Sequence, residues 1–124
     1  EKGLEVSLTV PENPILALAI PEAVELALYN LVENAIIHGG KGPIAITVGP
    51  GHVIRVRDYG NGLPEGIDHQ LFKPFWRGPN AIAGGSGLGL SIVDRLQRAQ
   101  GGGVKVRNMS DGGVECEISM ISTY

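Results

Sequence analysis

Apolar and polar residues alternate along Leu4-Glu5-Val6-Ser7-Leu8-Thr9-Val10, the period of a half-buried strand. Pro11, Asn13 and Pro14 end it, and the short apolar run Ile15 to Ile20 reads as a second strand or a lead-in. Pro21-Glu22 is a helix start, with proline in the first turn and an early acid. From Pro21 to His38 the pattern turns helical, and Val24, Leu28, Leu31, Val32, Ala35 and Ile36 form a broad apolar stripe. The β-branched runs Ile44 to Val48 and Val53 to Arg57, parted by Gly49-Pro50-Gly51, predict a hairpin. A loop-rich middle follows. Leu88, Ile92, Val93 and Leu96 then restore helical spacing from Ser86 to about Gln100, where Gly101 to Gly103 stop it. Val104 to Met109 and Val114 to Ile121 are two last strands, joined by the turn Ser110-Asp111-Gly112-Gly113. The economical packing of this order is an α+β two-layer sandwich, a mixed and mainly antiparallel sheet with its helices on one face.

Length narrows the picture: 124 residues make one domain with room for a real core. A hydrophobic share of 43% with only 5% aromatics describes a small-residue, aliphatic interior. The net charge of −3 argues against a nucleic-acid binder that works through a basic surface. No apolar run approaches the roughly 18 to 20 residues that cross a bilayer. A single cysteine excludes an internal disulfide and a cysteine-built zinc site, and Cys116 alternates with Val114 and Ile118 as a core residue would. Beginning at Glu1 with strand-like sequence, the chain reads as a piece of a larger protein.

Three places carry polar or glycine-rich chemistry beside apolar elements. Asn30, Asn34 and His38 recur every four residues and draw a polar line along a helix that otherwise looks buried. Asp58 closes a strand and is followed by Tyr59-Gly60-Asn61-Gly62; a turn-forming aspartate is the plainer reading. Gly84-Gly85-Ser86-Gly87-Leu88-Gly89-Leu90 places four glycines in six residues at a helix N-terminus. Exposed N–H groups and the positive end of the macrodipole suit that end to phosphate oxygens, although a flexible loop before a surface helix has the same composition. Leu71 to Arg77 gathers both phenylalanines and the single tryptophan, and Gly78 to Gly85 is small and polar and looks mobile.

Together, four stretches resemble the boxes of the catalytic and ATP-binding domain of sensor histidine kinases, which has the Bergerat nucleotide-binding fold. Leu28-Tyr29-Asn30-Leu31-Val32-Glu33-Asn34-Ala35 is similar to the asparagine box, and Asp58-Tyr59-Gly60-Asn61-Gly62 to the first glycine box. Phe72-Lys73-Pro74-Phe75-Trp76-Arg77 resembles the phenylalanine box, and Gly85-Ser86-Gly87-Leu88-Gly89-Leu90 the second glycine box. The resemblance implies ATP and Mg2+ as cofactors. It implies Asn34 as the magnesium ligand, one hard oxygen on a rigid helix with phosphate and water completing the shell. Asn30 would lie near the phosphates. The Asp58 carboxylate would accept from the exocyclic amine of adenine, with Gly60 and Gly62 letting main chain pass close to the base. Gly85, Gly87 and Gly89 would free the turn around Leu88, and Ser86 with the helix end would donate to phosphate. Arg77 would meet the terminal phosphate when a lid over residues 78 to 84 closes.

Two departures stand out. Relatives often carry a basic residue three positions after the magnesium asparagine, where this chain has Ile37; Lys41 or His38 are the substitutes at hand. The last glycine box usually continues with threonine, and here Gly113 is followed by Val114. Hydrolases of the same fold use a glutamate one turn before the magnesium asparagine, a position held here by Asn30. Glu33 projects about 100° away around the helix, so transfer to a nucleophile is favoured over hydrolysis. None of His38, His52 and His69 sits in a phosphoacceptor motif. The resemblance therefore implies a dimerisation and phosphoacceptor helical domain preceding Glu1, a response regulator receiver domain as downstream partner, and a cytoplasmic setting, with the parent anchored in the inner membrane. The isolated piece would be a monomer that binds nucleotide without phosphorylating itself, and its parent a homodimer. A non-catalytic nucleotide-gated interaction module and a serine kinase of an antagonist protein remain the alternative readings.

Overall fold

The computed structural model describes residues 5–15, 17–38, 42–60 and 89–122, without the side chains of 38, 89, 90 and 122. Strands β1 (Val6–Thr9), β3 (Ile44–Val48), β4 (Val53–Asp58), β5 (Gly103–Asn108) and β6 (Val114–Ser119) form one sheet in the order β1-β3-β4-β6-β5. Only β1 and β3 run parallel; the other neighbours are antiparallel. A small second sheet pairs β2 (Ala17–Leu18) with β7 (Ile121–Ser122). Helices α1 (Pro21–His38) and α2 (Gly89–Ala99) pack on one another, with α1 against β4 and α2 against β5. The layers are those expected from the sequence.

Side-chain alternation assigns each face of the sheet. Ile44, Val56, Cys116 and Ile118 are buried and form one core with Ala27, Leu31 and Ala35 of α1 and Val93 of α2. The residues between them carry charge. Arg55 Nε donates to Glu117 across the β4–β6 pair at 3.1 Å, and Arg107 Nη2 to Glu115 across β5–β6 at 2.6 Å. Opposite charges facing each other on adjacent strands favour this register, the half-buried Arg55–Glu117 pair by roughly 0.2–1 kcal/mol. One face is thus marked for the helices and the other for water.

Gln97 is a polar residue inside this core, fully buried. Its Nε2 donates to Ser119 O at 2.9 Å and lies 3.7 Å from Met120 Sδ, which ties α2 to the end of β6. The helix stops one turn later: Gly101 N donates to Arg98 O and Gly102 N to Gln97 O, a reciprocal cap. That cap needs φ of +83° at Gly101, a conformation glycine adopts without strain.

Three expectations from the pattern change. The buried seam of α1 is Ala27, Leu31 and Ala35, whereas Ile36 is 45% exposed. Ala27 is fully buried because a small side chain there lets the helix sit close to its neighbours. The whole of β1 is exposed, because it is the sheet's edge and the helices cover β4 and β5 instead. The last strand also breaks. Met120 N donates to His52 O in the β3–β4 turn at 2.9 Å, so β7 leaves the main sheet and pairs with β2.

Candidate functional site

Asp58 is the last residue of β4, and its alternation with Ile54 and Val56 directs it toward the helices. The residue is 6% exposed. A carboxylate taken from water there must be hydrogen-bonded. Its Oδ1 accepts from Gly60 N at 2.9 Å, closing an aspartate turn, and from Val114 N at 3.3 Å. Among the described residues Oδ2 receives no hydrogen bond, so one oxygen is tied down and the other keeps its acceptor capacity.

The turn before β6 supports this arrangement from behind. Gly113 has φ of +86°, and a Cβ there would come within 2.0 Å of Asp58 O and 2.8 Å of Tyr59 Cα. Two backbones meet at Gly113 with no room for a side chain. Arg57, one residue before the carboxylate, reaches the same turn: Nη2 donates to Asp111 Oδ1 and to Gly112 O at 3.1 Å. Its guanidinium carbon stands 4.1 Å from the centroid of the Tyr59 ring. Arg57 carries no site signal in the sequence. Gly113 stands where the resemblance puts the last glycine box, but nothing in the sequence shows that its backbone meets Asp58.

Asn30 and Asn34 are both partly exposed on α1, one turn apart. Asn30 Nδ2 donates back to Leu26 O at 2.9 Å, which engages its amide nitrogen within the helix. The Asn34 amide makes no hydrogen bond among the described residues. Ala35, the next residue, shares the buried core with Ile44, and Ile44 is the register partner of Asp58. The fold therefore brings the C-terminal half of α1 and the end of β4 to the same region of the core. Glu33 is exposed. His38 ends α1 and Gly89 begins α2. Gly62, Arg77, Gly85, Ser86, Gly87 and Leu88, together with the aromatic stretch and the lid, lie outside the described residues.

Cys116 has no part in this chemistry. Burial, aided by the charges of Asp58 and Glu115, pushes its thiol up to about 12, so it stays protonated and poorly nucleophilic. Iodoacetamide at about pH 8 should leave the folded protein unlabelled and react once denaturant opens it; fast native labelling would contradict the assignment. The stability consequence has a definite sign. Above the ordinary value of 9.0, the unfolded chain gives up a proton that the folded chain retains, so this group's contribution falls as pH rises from there toward about 12.

Among the described residues, no group of three or more His, Cys, Asp or Glu side chains is gathered to hold a metal ion, and no helix is long and apolar enough to cross a membrane.

Residues 19–122 match the profile of the family described as histidine kinase-, DNA gyrase B-, and HSP90-like ATPase. The chain is 36% identical over 113 residues to the sensor-type histidine kinase PrrB of Mycobacterium tuberculosis, covering 89% of this chain and 25% of PrrB. It is 33% identical over 117 residues to the sensor protein QseC of Escherichia coli, covering 94% of this chain and 26% of QseC. The chain thus spans about a quarter of the length of the curated relatives it matches. Among solved structures, the mycobacterial sensor histidine kinase MprB superposes with a TM-score of 0.80 at 27% identity, covering 94% of this chain and 82% of that one. The ATP-binding domain of PrrB from Mycobacterium tuberculosis gives 0.76 at 27% identity, covering 98% and 82%.

Proposed function

Since the chain belongs to the family of histidine kinase-, DNA gyrase B- and HSP90-like ATPases, we propose that it binds ATP with magnesium and presents the γ-phosphoryl group to a histidine on a separate helical dimerisation domain of a sensor kinase. The phosphohistidine then serves a response regulator receiver domain, on the cytoplasmic side. The observation that carries this reading is Asp58, a buried carboxylate anchored by Gly60 N and Val114 N with one oxygen left to accept. An amine donor held there identifies adenine, whereas guanine offers a carbonyl oxygen at the corresponding position. The relatives' names, sensor histidine kinases, support the class of reaction.

Asn34 would hold the magnesium ion through its amide oxygen. The fit is chemical: a hard neutral oxygen on a helix, with an amide not engaged by described neighbours, and a metal that keeps most of its shell for phosphate and water. When bound, the ion supplies charge neutralisation across the phosphates. The chain's own residues do the rest. Asp58 would orient the base, Gly85, Ser86, Gly87 and Gly89 would serve the phosphates, and Arg77 would balance charge at the γ-phosphoryl group. No carboxylate stands one turn before Asn34 to aim a water, because Asn30 occupies that place. Transfer to a protein nucleophile is therefore favoured over hydrolysis.

Replacing Asn34 with alanine is expected to remove the magnesium-dependent part of ATP affinity. Calorimetric titration with magnesium and with EDTA measures it: the native protein binds more tightly with the metal, and Asn34→Ala binds equally in both. A variant that still gains affinity from magnesium would exclude Asn34 as the ligand. For the reaction itself, the domain is mixed with its parent's helical domain and radiolabelled ATP. Acid-labile label on histidine supports transfer. Acid-stable label on serine would indicate a serine kinase, and binding without transfer a nucleotide-gated module, the reading that Ile37 in place of a basic residue favours.

A further inference from the structure

We propose that Arg57 is a positioning residue for adenine recognition, acting through the Ser110–Gly113 turn on the Asp58 carboxylate; this rests on the reading of Asp58 as the adenine acceptor. The two arginines of β4 behave differently. Arg55 pairs with Glu117, its direct partner across the β4–β6 ladder, at 3.1 Å. Arg57 faces Glu115 in the same register, but Glu115 is bonded by Arg107 at 2.6 Å. Arg57 instead reaches along the sheet to the turn and donates to Asp111 Oδ1 and Gly112 O. Arg55 also donates to Gly49 O at 2.9 Å but keeps its cross-strand partner, whereas the hydrogen bonds of Arg57 among the described residues all go to the Ser110–Gly113 turn.

The reach has a geometric consequence. Asp111 and Gly112 immediately precede Gly113 and Val114, the two residues that touch Asp58. The Val114 N–H to Asp58 Oδ1 bond is 3.3 Å long, at the outer edge of the useful range, so a small shift of the turn breaks it. Losing it frees the carboxylate to rotate about its remaining bond to Gly60 N, and Oδ2 then no longer points in one direction. The Arg57 side chain is itself held. It is 15% exposed and lies over the Tyr59 ring. Asp111 is 71% exposed and is held below the usual carboxylate range first by its hydrogen bond from Arg57, so it stays charged at neutral pH. Arg57 thus braces, from the solvent face of the sheet, a group used on the helix face.

The test compares ATP with purine riboside triphosphate, which lacks the exocyclic amine, by calorimetric titration of the native protein, Arg57→Met and Asp111→Ala. The native protein should prefer ATP. Arg57→Met should raise the ATP Kd roughly three- to tenfold and leave the Kd of the amine-free nucleotide within about twofold. Asp111→Ala, which removes the acceptor at an exposed turn position, should move in the same direction and keeps the test valid if Arg57→Met folds poorly. Equal weakening of both nucleotides in the variants, or of neither, overturns the bracing role while leaving Asp58 as the reader. A native protein that binds both nucleotides equally overturns the Asp58 reading and the brace with it.

Discussion

Asp58→Asn should weaken ATP binding by roughly ten- to a hundredfold, the range for a lost hydrogen bond to a charged acceptor. Its fold should survive, because asparagine keeps an Oδ1 that can accept from Gly60 N and Val114 N as Asp58 does now. What changes is the second position of the head group. There an oxygen that accepts becomes an NH2 that donates, and it would face the donor amine of adenine. The same change suits guanine, whose ring carbonyl accepts, so the ATP-to-GTP preference should narrow or reverse. Calorimetric titration with both nucleotides, paired with a thermal melt, separates the two effects. An unchanged ATP affinity in a folded variant would remove Asp58 from the site.

Gly113→Ala should produce the largest combined loss of stability and binding. At φ of +86° a non-glycine residue is strained by about 1–3 kcal/mol. The added Cβ would also stand 2.0 Å from Asp58 O and 2.8 Å from Tyr59 Cα, main-chain atoms that move only with β4 itself. A total of about 2–4 kcal/mol lowers the melting temperature by roughly 10 °C for a domain of this size. Because relief comes by parting the turn from Asp58, the Val114 bond is lost as well. ATP affinity should then fall even in the cold, where the variant remains folded. A variant with native melting temperature and native affinity would show that the turn and the strand end are not in the contact described.

These two residues differ in how visible they were beforehand. Asp58 was marked by its own neighbours: a strand of alternating residues ends in an acid followed by glycines. The alternation even points that acid inward, where only a bonded carboxylate is tolerated. Gly113 is visible in the sequence as part of a hairpin turn and, through the resemblance, of the last glycine box. Nothing local indicates that a strand end more than fifty residues earlier would press against it. Arg57 is a sharper case, since Arg55 and Arg57 are indistinguishable as outward-facing residues of one strand, and only the competition for Glu115 separates them.

Helix α1 shows the same boundary within one element. Its limits, Pro21 and His38, follow from proline at the start and glycine after the end, and the structure keeps them. Its apolar stripe packs on the core at Val24, Leu28, Leu31, Val32 and Ala35, and only Ile36 departs, because hydrophobicity ranks Ile36 above Ala27 and packing distance does not. The edge strand was misjudged for a related reason. Alternation shows that β1 has an apolar face but is silent on whether a helix covers it.

Sequence by itself determined the two helices, the main strands, their order and the residue types at the candidate site, because these depend on backbone preference and periodicity over a few residues. Tertiary structure decided which strand became the uncovered edge, which arginine braces the turn, and which backbone N–H groups anchor Asp58. Those outcomes depend on contacts between residues distant along the chain, and a hydrogen bond of about 3 Å between them exists only after the sheet has closed its register.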